Sequence, residues 1–218
     1  DCDGNCTANT DCAGECGGSA VDDCQGTCGG TAVNCPVWEA NPGAFAETAT
    51  LVGGIVFIDD MQTDDTNDIL AAFDGTGDVR GVGVPLTPPA GNYVDTILYE
   101  MTMHGEAGNQ LSFQYYDYSQ DAIYTLAESY TFVINDQLGG MGMETNGETP
   151  LPFILSYCSN GSAVDCAGVC GGSSVEDCLG VCGGSSVEDC AGACDGTAFI
   201  DGCSNCVPEN DTSCEIDC

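Results

Sequence analysis

The sequence predicts an all-β protein, an antiparallel β-sandwich flanked by two irregular, disulfide-rich repeat arms. Three observations predict it. Seven of the 18 cysteines lie in the first 35 residues and eleven in the last 61, with none between Cys35 and Cys158. The cysteine-bearing stretches repeat one phrase, DCAGECGGSAVDDCQGTCGGTAVNC at Asp11 to Cys35 and VDCAGVCGGSSVEDCLGVCGGSSVEDCAGACDG at Val164 to Gly196. The stretch between them carries β-branched and aromatic runs cut by turn residues, with no helical pattern.

The first arm, residues 1–35, and the last, residues 158–218, are built on a step of 12 residues, as Cys12 to Cys24 and Cys166 to Cys178 to Cys190 show. Such a period marks a linear array of small units. Val21, Val33, Val175 and Val187 supply about one sizeable apolar side chain per unit, far short of the ordering cost of ~1–2 kcal/mol per residue. Disulfides and ions therefore have to replace a core. The glycine pairs Gly17–Gly18, Gly29–Gly30, Gly171–Gly172 and Gly183–Gly184 are expected to supply positive φ values for tight turns, in rod-like arms nearly free of helix or strand.

Residues 36–157 are long enough for their own core. Strands are expected near Thr48–Ile58, Asp68–Phe73, Val79–Val84, Tyr93–Met103, Leu111–Tyr116, Ile123–Leu126, Tyr130–Ile134 and Leu151–Ser156. Eight short strands favour an immunoglobulin-like or jelly-roll-like sandwich.

Composition bounds the compartment and the partners. So many cysteines imply an oxidising, extracellular or cell-surface location. The chain has no apolar run near 18 residues and begins with Asp, so it reads as a mature or excised product without membrane insertion. Thirty-five acids face one Arg and no Lys, a formal net charge of −34, which argues against nucleic-acid and anionic-membrane partners.

The acids point to a cation. Two carboxylates ~5 Å apart repel by roughly 3 kcal/mol at an effective dielectric near 20, and a register of acids along a repeat calls for a counter-ion. Calcium, which takes six to eight oxygens, is the expected cofactor. Its candidate ligands are the acids beside each first cysteine (Asp11, Asp22, Asp23, Asp165, Glu176, Asp177, Glu188, Asp189), the DxDGN group Asp1, Asp3 and Asn5, and the C-terminal oxygens of Asp195, Asp201, Asn205, Asn210, Asp211 and Asp217. In the sandwich, Asp64, Asp65, Asn67 and Asp68 either hold a further ion or form a turn. Zinc fits less well, because the usual spacing is CxxxC and His104 is the sole histidine.

The phrase DCxGxCGG, followed by a small residue, Val and an acid, resembles the Asp, Cys and Gly repeats of secreted marine bacterial proteins. It is broadly similar to thrombospondin type 3 calcium repeats, although only Asp1 to Asn5 approaches their denser DxDxDG run. NDILAAFDGTGDVRGVGV and LSFQYYDYSQDAIYTL resemble β-sandwich modules of secreted adhesive and surface proteins of marine bacteria. The resemblance implies architecture rather than activity.

Arg80, the only strong cation, reads as a structural partner of Asp68 or Asp74. With one histidine and no lysine there is little from which to build a nucleophilic active site, and the chain does not read as an enzyme. The expected function is a structural subunit of an extracellular filament or surface layer, stiffened by calcium and disulfides and joined head to tail to copies of itself. The alternative is a secreted carbohydrate-binding or adhesion module, whose glycans would stack on exposed members of the Tyr115, Tyr116 and Tyr118 group. Asn5, Asn160 and Asn210 stand in NxS/T sequons.

Two disulfide schemes satisfy the spacing. In one, each CxxxC closes on itself, Cys203 bonds Cys206, and Cys35 bonds Cys158. In the other, favoured because it links units, the pairs are Cys6–Cys12, Cys16–Cys24, Cys28–Cys35, Cys158–Cys166, Cys170–Cys178, Cys182–Cys190, Cys194–Cys203 and Cys206–Cys214. The second leaves Cys2 and Cys218 for an intermolecular bond.

Overall fold

A computed structural model describes residues 9–141 and 151–209 of the chain. The chain forms two compact bodies, Asp1–Tyr157 and Cys158–Cys218. Among the described residues the only helical turn is a 3-10 turn at Pro42–Ala44, and no helix is long and apolar enough to cross a membrane.

The described residues of the first body form ten strands: β1 (Glu47–Ile58), β2 (Met61–Gln62), β3 (Ile69–Phe73), β4 (Val79–Val82), β5 (Val84–Leu86), β6 (Leu98–Gly105), β7 (Gln110–Asp117), β8 (Ala122–Thr131), β9 (Gln137–Gly139) and β10 (Phe153–Tyr157). One sheet runs β10-β1-β6-β5, with β2 and β9 also paired to β1, and the other runs β4-β3-β7-β8. Alternation of side chains along β6 and β7 turns one face of each strand inward. The core joins both sheets: Leu51, Val56, Tyr99, Met101, Met103 and Leu155 meet Leu70, Leu111, Phe113 and Tyr115, all at 1% exposure or less. Each such side chain contributes about 1.5–3 kcal/mol by leaving water.

Several boundaries differ from the expected strands, for physical reasons. The run Val79–Val84 splits at Gly83, and its halves join different sheets. A Cβ on Gly83 would stand 3.2 Å from Leu70 Cβ and 3.3 Å from Tyr99 Cδ1, so a larger residue would crowd the backbone where it crosses between the sheets. The expected strands at Ile123 and Tyr130 are one continuous β8, whereas Tyr93–Ile97 precedes β6 as turn and coil. β9 and β10 were not anticipated to run parallel to β1, which they do in succession along one edge, β9 opposite Thr50–Gly53 and β10 opposite Gly54–Ile58. The other strand pairings are antiparallel.

The N-terminal repeats belong to the first body. Gln25 Nε2 donates to the Tyr116 hydroxyl at 2.8 Å and to the Tyr118 carbonyl at 2.7 Å. The Val33 amide donates to Asp121 Oδ2 at 2.7 Å, and Asn34 Nδ2 to the Asp121 carbonyl at 2.8 Å. The Val33 amide, with help from Tyr116 and Asn34, holds the Asp121 carboxyl below its usual range. Beyond Cys35, Trp38 meets Phe73 edge-on at 5.4 Å between ring centroids.

Arg80 lies 92% out of solvent by its 8% exposure, with Cζ 3.6 Å over the Phe45 ring and Nε 3.0 Å from Asp74 Oδ2. Its partner is thus Asp74, while Asp68 is buried elsewhere and accepts the Tyr115 hydroxyl and the Tyr118 amide. Burial pushes the Asp74 carboxyl up, but hydrogen bonds from Thr76, Arg80 and the Asp78 amide outweigh it and leave the group well below the ordinary range. Replacing Asp74 with Ala strands a buried guanidinium, and a loss of about 3 kcal/mol is expected. Equilibrium denaturation of the Asp74→Ala protein checks this; an unchanged midpoint would make the pair dispensable.

The second body is held differently. Four bonds link Cys158 to Cys170, Cys166 to Cys182, Cys178 to Cys194 and Cys190 to Cys206. The N-terminal repeats follow suit with Cys12–Cys28 and Cys24–Cys35. Both spacing-based schemes are therefore wrong: among the described residues no CxxxC closes on itself, adjacent cysteines are skipped, and Cys35 bonds Cys24 and Cys158 bonds Cys170 instead of each other. In the regular case the first cysteine of one repeat bonds the second cysteine of the next, a separation of 16, and consecutive bonds interlace. Cys16 and Cys203 are disulfide-bonded as well, whereas Cys2 and Cys218 lie outside the described residues. The repeat valines make no core, since Val175 and Val187 are 74% and 70% exposed. Among the described residues only a short pair of strands, β11 (Phe199–Ile200) and β12 (Cys206–Val207), is added.

Candidate functional site

The feature the sequence singles out for chemistry is the aspartate before each first cysteine. A short carboxylate next to its own backbone readily accepts amides two and four residues on. In all five full repeats it does so. Oδ1 of Asp11 accepts the amides of Ala13 and Glu15, and the same oxygen of Asp23, Asp165, Asp177 and Asp189 accepts the corresponding pair, at 2.8 to 3.1 Å. Oδ2 accepts a third amide nine residues on, from Ala20, Ala32, Ser174, Ser186 and Ala198, at 3.0 to 3.2 Å. One carboxylate thus closes its own turn and ties it to the segment leading into the next repeat.

The glycines follow from this geometry. The glycine three residues after the aspartate (Gly14, Gly26, Gly168, Gly180, Gly192) has φ near +80°, and the first glycine of each pair also lies in the left-handed region. The second glycine of each pair does not, contrary to expectation. A Cβ on Gly18, Gly30, Gly172, Gly184 or Gly196 would stand 2.5–2.6 Å from Cγ of the repeat aspartate and nearer still to Oδ2. That glycine is required for close approach of the backbone to a carboxylate rather than for its dihedral.

A sixth, degenerate copy is present at Asp201, 12 residues after Asp189. Its Oδ1 accepts the Cys203 and Asn205 amides at 2.8 Å, Ser204 takes φ +65° where glycine usually sits, and Cys206 closes back onto Cys190. The same turn recurs in the first body at Asp74, where Oδ1 accepts the Thr76 and Asp78 amides, Gly77 has φ +89°, and Arg80 replaces the third amide. An Asp-x-x-Gly match would have flagged Asp74 from sequence.

These contacts decide how well calcium fits. A carboxylate offers about four lone-pair sites, and three are spent on amides at Asp11, Asp23, Asp165, Asp177 and Asp189, so each of these residues has about one left to offer a metal ion. Asp22, Glu176 and Glu188 are exposed, and their backbones bridge Cys28, Cys182 and Cys194. Asp195, with φ +51°, accepts the Ser186 hydroxyl at 2.9 Å. Among the described residues, potential metal-binding side chains gather in threes only at Cys12, Asp22, Cys28 and at Cys24, Cys35, Asp121, and each group contains both sulfurs of one disulfide. Asp64, Asp65 and Asp68 do not converge: Asp65 accepts Asn67 at 2.8 and 2.9 Å, and Asp68 faces the core. Asp1, Asp3, Asn5, Asn210, Asp211 and Asp217 lie outside the described residues.

The tyrosine platform for sugars is also absent. Tyr115 and Tyr116 are 0% and 1% exposed, the first inside the core and the second under Gln25, and Tyr118 is half-buried. Burial pushes the Tyr115 hydroxyl well above its ordinary range, and raises the Asp68 carboxyl beneath it.

In the second body, the amides of Val169, Val181 and Ala193, with the others, lower the pKa values of Asp165, Asp177 and Asp189. A carboxyl depressed by folding stabilises above its unfolded value, near 3.9, and this contribution is lost as pH falls through the folded value. The turns of residues 158–209 are expected to loosen only below about pH 4. Amide exchange at Val169, Val181 and Ala193 checks this; protection unchanged down to pH 2 would remove the carboxylates from the account.

No family model matches the chain, and neither does any curated protein or solved structure.

Proposed function

We propose that this chain is a structural protein of an extracellular filament or surface layer, in which a β-sandwich bead is joined to disulfide-laced repeats and copies add head to tail. The supporting observation is the interlaced bonding of the repeats. All fourteen described cysteines are in disulfides, so the repeats gain order from covalent links and carboxylate turns instead of a core. This suits a load-bearing spacer in an oxidising medium, and an open head-to-tail contact yields a polymer.

Calcium enters this reading between subunits. Copies carrying −34 each repel one another, and the acids Asp22, Glu176 and Glu188 stand exposed at the same place in three of the five full repeats. A divalent ion at these positions would screen the approach of a second copy while leaving the turns untouched. Sedimentation and electron microscopy in calcium and in EDTA test both parts. Long assemblies in calcium that disperse in EDTA, with residues 158–209 still folded, are expected. A monomer at every calcium concentration would overturn the assembly, and unfolding of the repeats by EDTA would place the ion inside the turns after all.

A further inference from the structure

We propose that Asn160 is an N-glycosylation site of the mature protein. Asn160, Gly161 and Ser162 form the acceptor triplet, with glycine rather than proline in the middle. Of the three such triplets it is the one within the described residues. Asn160 and Gly161 are both exposed, two and three residues past Cys158. Gly161 has φ +71° and donates to the Cys158 carbonyl at 3.0 Å, while the Ser162 amide donates to Asn160 Oδ1 at 2.8 Å. This turn presents the asparagine at its tip, and the Oδ1 contact orients the side-chain amide relative to Ser162. The compartment agrees, because the disulfides of this chain form where such glycans are attached.

The transfer is chemically complete with one named co-reactant, a polyprenyl-diphosphate-linked oligosaccharide. Asn160 Nδ2 attacks the anomeric carbon, a C–N bond forms, and the C–O bond to diphosphate breaks. The polyprenyl diphosphate leaves, Nδ2 loses one proton, and nothing is oxidised or reduced. The glycan would stand two residues past Cys158, adding bulk and hydration where the repeats of the second body begin.

The test is glycopeptide mass spectrometry on the secreted native protein, on the non-reduced peptide that contains Asn160 and Cys158. A hexose- or hexosamine-bearing ion series fragmenting to Asn160 is expected. In a glycosylating secretory host the wild-type chain should carry the same modification, and Asn160→Gln, Ser162→Ala and Gly161→Pro should each lose it while retaining the Cys166–Cys182 bond. Because Asn160–Gly161 is also prone to spontaneous deamidation, enzymatic deglycosylation is run in heavy-oxygen water, which labels only a released glycan site. A native peptide carrying unmodified or merely deamidated Asn160 throughout would overturn the proposal.

Discussion

Alanine at Gly184 is expected to damage the second body far more than alanine at Gly183, although only Gly183 holds a positive φ. Gly183, at φ +68°, has open space around its missing side chain, so alanine there meets backbone strain alone, about 1–2 kcal/mol. At Gly184 the added carbon would fall 2.5 Å from Asp177 Cγ, inside any tolerable contact. The carboxylate must leave, and the amides of Leu179, Val181 and Ser186 lose their acceptor together. Those amides set the spacing between Cys178 and the next repeat, so its bond to Cys194 should form poorly. Oxidative refolding followed by non-reduced peptide mapping checks the order. A Gly184→Ala protein that recovers Cys178–Cys194 as fully as Gly183→Ala does would remove the carboxylate from its organising role.

The same glycine shows where sequence reasoning stopped. The doublet was visible, and a local rule, glycine for positive φ, covers only its first member. The second answers to a carboxylate seven residues earlier, a contact that composition does not announce. The zoning of cysteines around a β segment could be read directly, because cysteine position and β-branched runs are local signals. Disulfide partners could not, since loop-closure entropy differs by only a few tenths of a kcal/mol among short loops; pairing is decided by turns that bring Cys178 beside Cys194. For a related reason β3 and β7 were anticipated almost to the residue, whereas the sheet change at Gly83 depends on Leu70 and Tyr99 beneath it. The acids were legible as a register, but the same spacing serves a bound ion and a row of amides, and the amides emerge only in the folded turns.

Complete reduction is expected to unfold the second body while the two-sheet core of the first body keeps its β spectrum. Within residues 158–209 the only apolar side chain in the buried core set is Val207, at 8% exposure, and the valines that repeat along the array face water. Each regular bond closes a loop whose ends are 16 residues apart, worth about 3 kcal/mol through the unfolded state. Because the bonds interlace, cutting one leaves its neighbours spanning the same turn, and loss should steepen as the second and third are opened. The carboxylate turns persist only while the chain is held near them, so they cannot substitute for the bonds. In the first body, by contrast, Leu51, Leu70, Tyr99, Phe113 and Phe132 are all fully buried without help from any cysteine. Graded reduction followed by alkylation and hydrogen exchange reads this directly. Amides of Val169 to Ala198 should lose protection stepwise with each opened bond, whereas those of β3, β6 and β7 stay protected. Retention of protection across residues 158–209 in fully reduced protein would mean that the turns alone hold the repeats, and the disulfides would then be reinforcement rather than the source of order.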